Sequence, residues 1–237
     1  MIEHHLPVER TARYWTLGDP NEAREVWIVL HGYKQLARRF LRRFEPIDEP
    51  GRLVVAPEAL SRFYVSTASG RHGSGAVVGA TWMTREDREH EIADYVGYLD
   101  RLLETVISGV GGDRRSEGAG APPRVVVLGF SQGVATATRW VVRSGVRPTR
   151  LILWGDFTPP DLDLEAASAA LDGIDVVAVR GNHDPALSPR LAEEEAIRLH
   201  EAGIHVRTVR YDGGHDIDAD TLSMLADEVG GAVRTPR

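Results

Sequence analysis

The 237-residue chain contains no cysteine, which excludes disulfides, thiolate metal sites and cysteine nucleophiles together. Long apolar runs are missing too. None approaches the roughly 18 residues of a membrane-spanning helix, and the opening MIEHHLPVERTARYW has no basic region followed by an apolar one. The expectation is a cytoplasmic protein with no stable membrane insertion. Lysine is almost absent: Lys34 is the single one among 28 basic residues, and 35 acidic residues outweigh them for a net charge of −7. That sign argues against a nucleic-acid backbone or an anionic membrane as the main partner. No internal repeat is present. What remains is ordinary, with 42% hydrophobic and 27% charged residues, and the length suits one α/β domain over residues 1–237.

Short apolar runs alternate with segments of helical period. Arg13 to Leu17 reads as a short edge strand, and Val26 to Leu30, Leu53 to Ala56, the run from Val125 that breaks on Gly129, Leu151 to Trp154, Val176 to Val179 and Val206 to Val209 read as strands. Helices are predicted over Gln35 to Phe44, Arg85 to Ile107 with Thr84 as N-cap, Ala135 to Ser144, Pro189 to Ala202 and Thr221 to Val229. Pro57 to Met83 has no clean period and reads as a long functional or mobile segment. Gly109 to Pro123, GVGGDRRSEGAGAPP, is of low complexity and reads as a flexible surface loop. The alternation implies the α/β class, a mostly parallel central sheet with helices on both faces and a ligand site beyond the carboxyl ends of the strands.

The chemistry centres on Val125 to Val134, VVVLGFSQGV, an apolar strand that breaks on Gly129-Phe130-Ser131-Gln132-Gly133 and continues as a helix. This fits the G-x-S-x-G elbow, in which a tight strand-to-helix turn lifts a serine hydroxyl clear of the sheet. Ser131 is the candidate nucleophile. A serine needs a base to take its proton and an acid to hold that base in one tautomer, and here they should follow in the order acid, then histidine. His215, in Tyr211-Asp-Gly-Gly-His215, follows the last strand, whereas His205 begins that strand and His200 lies in a helix. Two carboxylates compete as the acid. Asp184, in Arg180-Gly-Asn-His-Asp184-Pro185, follows the penultimate strand and is favoured; Asp156, after Trp154-Gly155, follows the one before and has an Asx turn as its structural alternative.

The oxyanion of an acyl-transfer reaction needs two preorganised donors. The backbone N–H of Gln132, at the positive end of its helix, supplies one, and that of Tyr33, after the bare backbone of Gly32, supplies the other. His31 is read as structural. Tyr64, Trp82 and Phe157 lie in segments approaching the strand ends and are candidate substrate contacts, with core or lid packing as the alternative for each.

Leu30-His31-Gly32 after a strand, Gly129 to Gly133, the loop at Asp184 and Gly214-His215 together resemble the phospholipase/carboxylesterase family of small α/β-hydrolases, which includes acyl-protein thioesterases. The resemblance spans most of the chain. It implies the α/β-hydrolase fold with an eight-strand-like core, little or no cap domain, and a serine esterase without cofactor or metal. Its partner would be a small-molecule ester, and the chain a monomer or homodimer. Two departures border the acyl pocket: Gly32-Tyr33-Lys34-Gln35 lacks the acidic residue usual soon after His-Gly, and Asp184-Pro185-Ala186-Leu187 replaces Asp-x-Val-Val. An acyl thioesterase of the same fold is the nearest alternative. Gly155-Asp156, Asn182-His183-Asp184 and Gly214-His215 also follow the order of two-metal phosphoesterase signals, but the upstream Asp-x-His and a histidine at position 217 are missing. A non-catalytic binding protein of this fold would usually lack one of the three candidate catalytic residues.

Overall fold

Two buried faces on each central strand explain why the strands read as unbroken apolar runs. In β2 (Glu25–Leu30), Val26, Ile28 and Leu30 point into one hydrophobic cluster and Trp27 and Val29 into another. β6 (Arg124–Phe130) divides in the same way, with Val127 on the first side and Val126, Leu128 and Phe130 on the second. The computed structural model describes residues 1–65, 75–111 and 121–230. Its main sheet has seven strands in the order β1-β3-β2-β6-β7-β8-β9, with β1 (Tyr14–Leu17), β3 (Arg52–Pro57), β7 (Arg150–Trp154), β8 (Asp175–Gly181) and β9 (Val206–Tyr211). Only β1 runs antiparallel, against β3.

Helices cover both faces. α2 (Arg88–Gly109), α3 (Gln132–Ser144), α4 (Leu164–Leu171) and α5 (Pro189–Glu201) pack on the first cluster, and α1 (Ala37–Leu41), a 3₁₀ turn at Arg42–Ile47 and α6 (Ala219–Gly230) on the second. No helix among the described residues is long and apolar enough to cross a membrane. β2 lies between β3 and β6, so the chain moves outward after β2 and later returns to its other side. That reversal opens a crevice beyond the ends of β2 and β6, where a ligand site is expected.

The structure corrects several boundaries. The helix expected over Gln35 to Phe44 is α-helical only to Leu41, because Pro46 has no N–H to donate and the chain tightens into the 3₁₀ turn. α2 begins at Arg88, after Asp87 at φ 48°. Thr84 does not cap it, and its hydroxyl instead accepts the Glu86 N–H at 3.2 Å. The aperiodic segment after Pro57 contains an antiparallel ribbon, β4 (Ser61–Tyr64) with β5 (Val78–Thr81). The main sheet has seven strands among the described residues, where the resemblance implied an eight-strand-like core. The loop expected at Gly109 to Pro123 lies largely outside the described residues.

Candidate active site

Ser131 separates β6 from α3 with φ 52° and ψ −122°, a conformation that costs an L-residue on the order of 1–3 kcal/mol unless its surroundings hold it. They do. Its N–H donates to the Trp154 carbonyl at 2.9 Å and its carbonyl accepts the Val134 N–H at 2.8 Å. The glycines on either side allow the helix to approach the sheet: a Cβ on Gly129 would lie 2.2 Å from the Gly133 carbonyl oxygen, and one on Gly133 would lie 2.2 Å from that of Leu30.

His215 reaches the same rim from the loop after β9. Its Nδ1 lies 2.7 Å from Oδ2 of Asp184, whose side chain is fully buried. The other Asp184 oxygen accepts the Ala186 N–H at 2.9 Å, so both are engaged and the carboxylate has one orientation. The His215 ring packs on Phe130 with centroids 4.9 Å apart and lies against Gly155, where an added Cβ would come within 3.3 Å of Cε1. Since Phe130 precedes Ser131, and Ser131 is bonded to the residue before Gly155, the imidazole sits beside the elbow. Its Nε2 has no hydrogen-bond partner among the described residues.

Asp156 does not share this bond. Its Oδ1 accepts the N–H of the next residue, Phe157, at 2.8 Å, one residue short of the Asx turn expected as its alternative. Burial pushes its carboxyl pKa up; the Phe157 N–H and nearby His215 act the other way, and the Asp184 charge adds to the rise.

The two expected oxyanion donors come from opposite sides of the crevice. Gly32 abuts the elbow so closely that a Cβ there would lie 3.0 Å from Ser131 Cβ, and its own N–H is taken by Gln35 Oε1 at 2.8 Å. The N–H groups of Tyr33 and Gln132 have no acceptor among the described residues. The Gln132 side chain ties α3 to β5: its Nε2 donates to the Thr81 hydroxyl (2.8 Å) and the Met83 carbonyl (3.0 Å), and its Oε1 accepts the Trp82 N–H (3.2 Å).

His31 occupies the structural place expected of it. The Ala59 N–H donates to Nε2 at 3.1 Å, which leaves the proton on Nδ1 to bond the Gly32 carbonyl at 2.8 Å. Burial lowers its pKa from 6.5 to about 4, against smaller upward pulls from that carbonyl and Glu58. Between those values the unfolded chain binds the proton and the folded one does not, so this contribution is complete above about pH 6.5 and is lost as pH falls toward 4. Urea unfolding should give about 2 kcal/mol less stability at pH 5 than at pH 7 from this group. The difference should shrink in His31→Asn; an equal loss in that variant would assign it elsewhere.

The candidate substrate contacts divide. Trp82 is only 3% exposed, donates its indole N–H to the His31 carbonyl at 2.8 Å and packs edge-on to Tyr95, so it supports the loop from below as core packing. Tyr64 is exposed on β4, and the half-buried Phe157 carries the Arg180 guanidinium 4.8 Å above its ring. His183 turns outward to Asp212 at 2.7 Å, and the one group of three or more His, Asp or Glu donors that converges among the described residues is His5, Asp87 and His90.

Several supporting residues escaped the sequence reading. Gln35 holds the Gly32 N–H, and the Tyr211 hydroxyl lies 2.6 Å from the carbonyls of both Gly214 and Asp216, bracketing His215. Glu195 accepts from the Thr158 N–H and hydroxyl and pairs with Arg180 at 2.7 Å, which fixes the loop after β7.

Comparison with solved structures identifies the fold that carries these residues. Acyl-protein thioesterase 2 from Zea mays aligns over 93% of this chain and 99% of its own, at a TM-score of 0.66 and 15% identity. This chain has the α/β-hydrolase fold. A carboxylesterase from Mesorhizobium loti aligns over 93% of this chain and 95% of its own at a TM-score of 0.66 and 17% identity. The Bacillus cereus carboxylesterase covers 93% and 94%, at 0.59 and 15%. No protein-family model and no curated protein matches the sequence. Ser131 follows the central strand β6 and His215 follows the last strand of the main sheet, β9.

Proposed function

We propose that this α/β-hydrolase is a serine esterase that cleaves small carboxylic esters through an acyl-enzyme on Ser131. The observation that carries the reading is the 2.7 Å bond from His215 to a fully buried Asp184, set beside a serine held in a strained elbow. Ser131 Oγ attacks the ester carbonyl while His215 Nε2 takes its proton. Asp184 keeps the other ring proton on Nδ1 and stabilises the imidazolium. The N–H groups of Tyr33 and Gln132 receive the oxyanion. His215 then returns the proton to the departing alcohol, and water repeats the sequence on the acyl-enzyme.

A thioester is cleaved by the same steps with a thiol leaving group, and the likeness to an acyl-protein thioesterase keeps it as the second reading. A panel of p-nitrophenyl esters from acetate to laurate, run beside an acyl thioester with and without EDTA, tests both. Turnover that EDTA leaves unchanged is the expected result. Loss of activity with EDTA, or no turnover of any ester or thioester, would contradict the proposal.

A further inference from the structure

A second feature of the rim concerns what the site selects. A cavity of about 200 Å³ is lined by the apolar Leu36, Phe40 and Phe130 and by the charged Lys34, Arg39, Arg43 and Asp216. It adjoins the site through three chain neighbours: Phe130 precedes Ser131 and packs on His215, Asp216 follows His215, and Lys34 follows Tyr33. Arg43 pairs with Asp216 at 3.0 Å, so those two charges offset each other. Lys34 and Arg39 have no carboxylate within 4.0 Å among the described residues, although the chain as a whole carries −7. Lys34 is fixed through its backbone, with φ 66° and its N–H on the Ala80 carbonyl at 3.0 Å. Two exposed cations without carboxylate partners therefore border a small cavity of mixed polar and apolar lining beside the nucleophile.

We propose that this cavity binds the acyl part of the substrate and that the acyl chain ends in a carboxylate, which Lys34 and Arg39 receive. The inference rests on the esterase reading and deepens it: the preferred substrates are monoesters of short dicarboxylic acids. Pockets for drug-sized ligands run from about 300 to 1,000 Å³, so 200 Å³ suits a chain of a few carbons, whose methylenes would lie on Phe40 and Phe130. A neutral ester of equal length makes the same apolar contacts but gives neither cation an anionic partner, Lys34 keeping only the Tyr33 ring 5.2 Å from its Nζ.

Calorimetric titration of the full-length Ser131→Ala protein with monoethyl glutarate and with ethyl pentanoate tests this without requiring turnover. The monoester should bind at least about tenfold more tightly, and the preference should shrink as salt is raised. It should vanish when Lys34→Gln and Arg39→Gln are added, and Lys34→Glu with Arg39→Glu should turn it toward ethyl 4-aminobutyrate. Both side chains are exposed, and thermal melting checks that these variants fold. Equal or weaker binding of the monoester, or a preference that survives the double substitution, would overturn the inference. Hydrolysis of both esters by the wild-type protein in that case would leave the esterase reading standing; absence of hydrolysis alongside the binding preference would remove the esterase reading and keep the anion site.

Discussion

Replacing Ser131 with alanine is expected to lower kcat on a p-nitrophenyl ester by about 10⁴- to 10⁶-fold, the range seen when a triad loses its nucleophile. The size of the effect follows from the mechanism. Without the hydroxyl no acyl-enzyme forms, and only the oxyanion donors and binding contacts remain to assist water. The backbone at position 131 is set by the bonds of its N–H and carbonyl to Trp154 and Val134, which alanine retains, so the melting temperature should change by no more than a few degrees. A variant that keeps more than about a hundredth of the activity would mean that another group forms the covalent bond.

The second large effect is expected at Asp184, and it separates the two carboxylates near His215. Asp184→Asn should cost about 10⁴ in kcat, because an amide nitrogen facing Nδ1 would favour the wrong imidazole tautomer. Asp156→Asn should cost less than about tenfold, since its hydrogen bond goes to the Phe157 backbone. Both are read from kcat on the same ester, with circular dichroism to check folding. A severe loss at Asp156 with a mild one at Asp184 would move the acid to the loop after β7.

Much of this arrangement was legible because it rests on local signals. β2, β6, β7 and β8 are buried on both faces and appear as unbroken apolar runs. The elbow announces itself through glycines that packing requires at Gly129 and Gly133. Asp184 and His215 each follow a strand in a loop marked by glycine or proline. What escaped depends on contacts between segments distant in sequence. The β4–β5 ribbon has four-residue strands with too few apolar positions for a period to register, and nothing local distinguishes Pro46 in a 3₁₀ turn from one that simply ends a helix. Gln35, Tyr211 and Glu195 act by fixing the backbone or loops that carry other residues, a role without a spacing of its own. Trp82 shows a choice that the sequence leaves open between core packing and substrate contact: its N–H turns inward to the His31 carbonyl and its ring belongs to the core.

The central claim is that the hydroxyl at position 131 is nucleophilic because the imidazole of residue 215 serves it. Labelling the intact protein with a fluorophosphonate, followed by peptide mass mapping, tests that most directly. One adduct is expected, on Ser131, absent from Ser131→Ala and slowed by orders of magnitude in His215→Ala. An unlabelled wild-type protein, or an adduct formed at equal rate without His215, would contradict it.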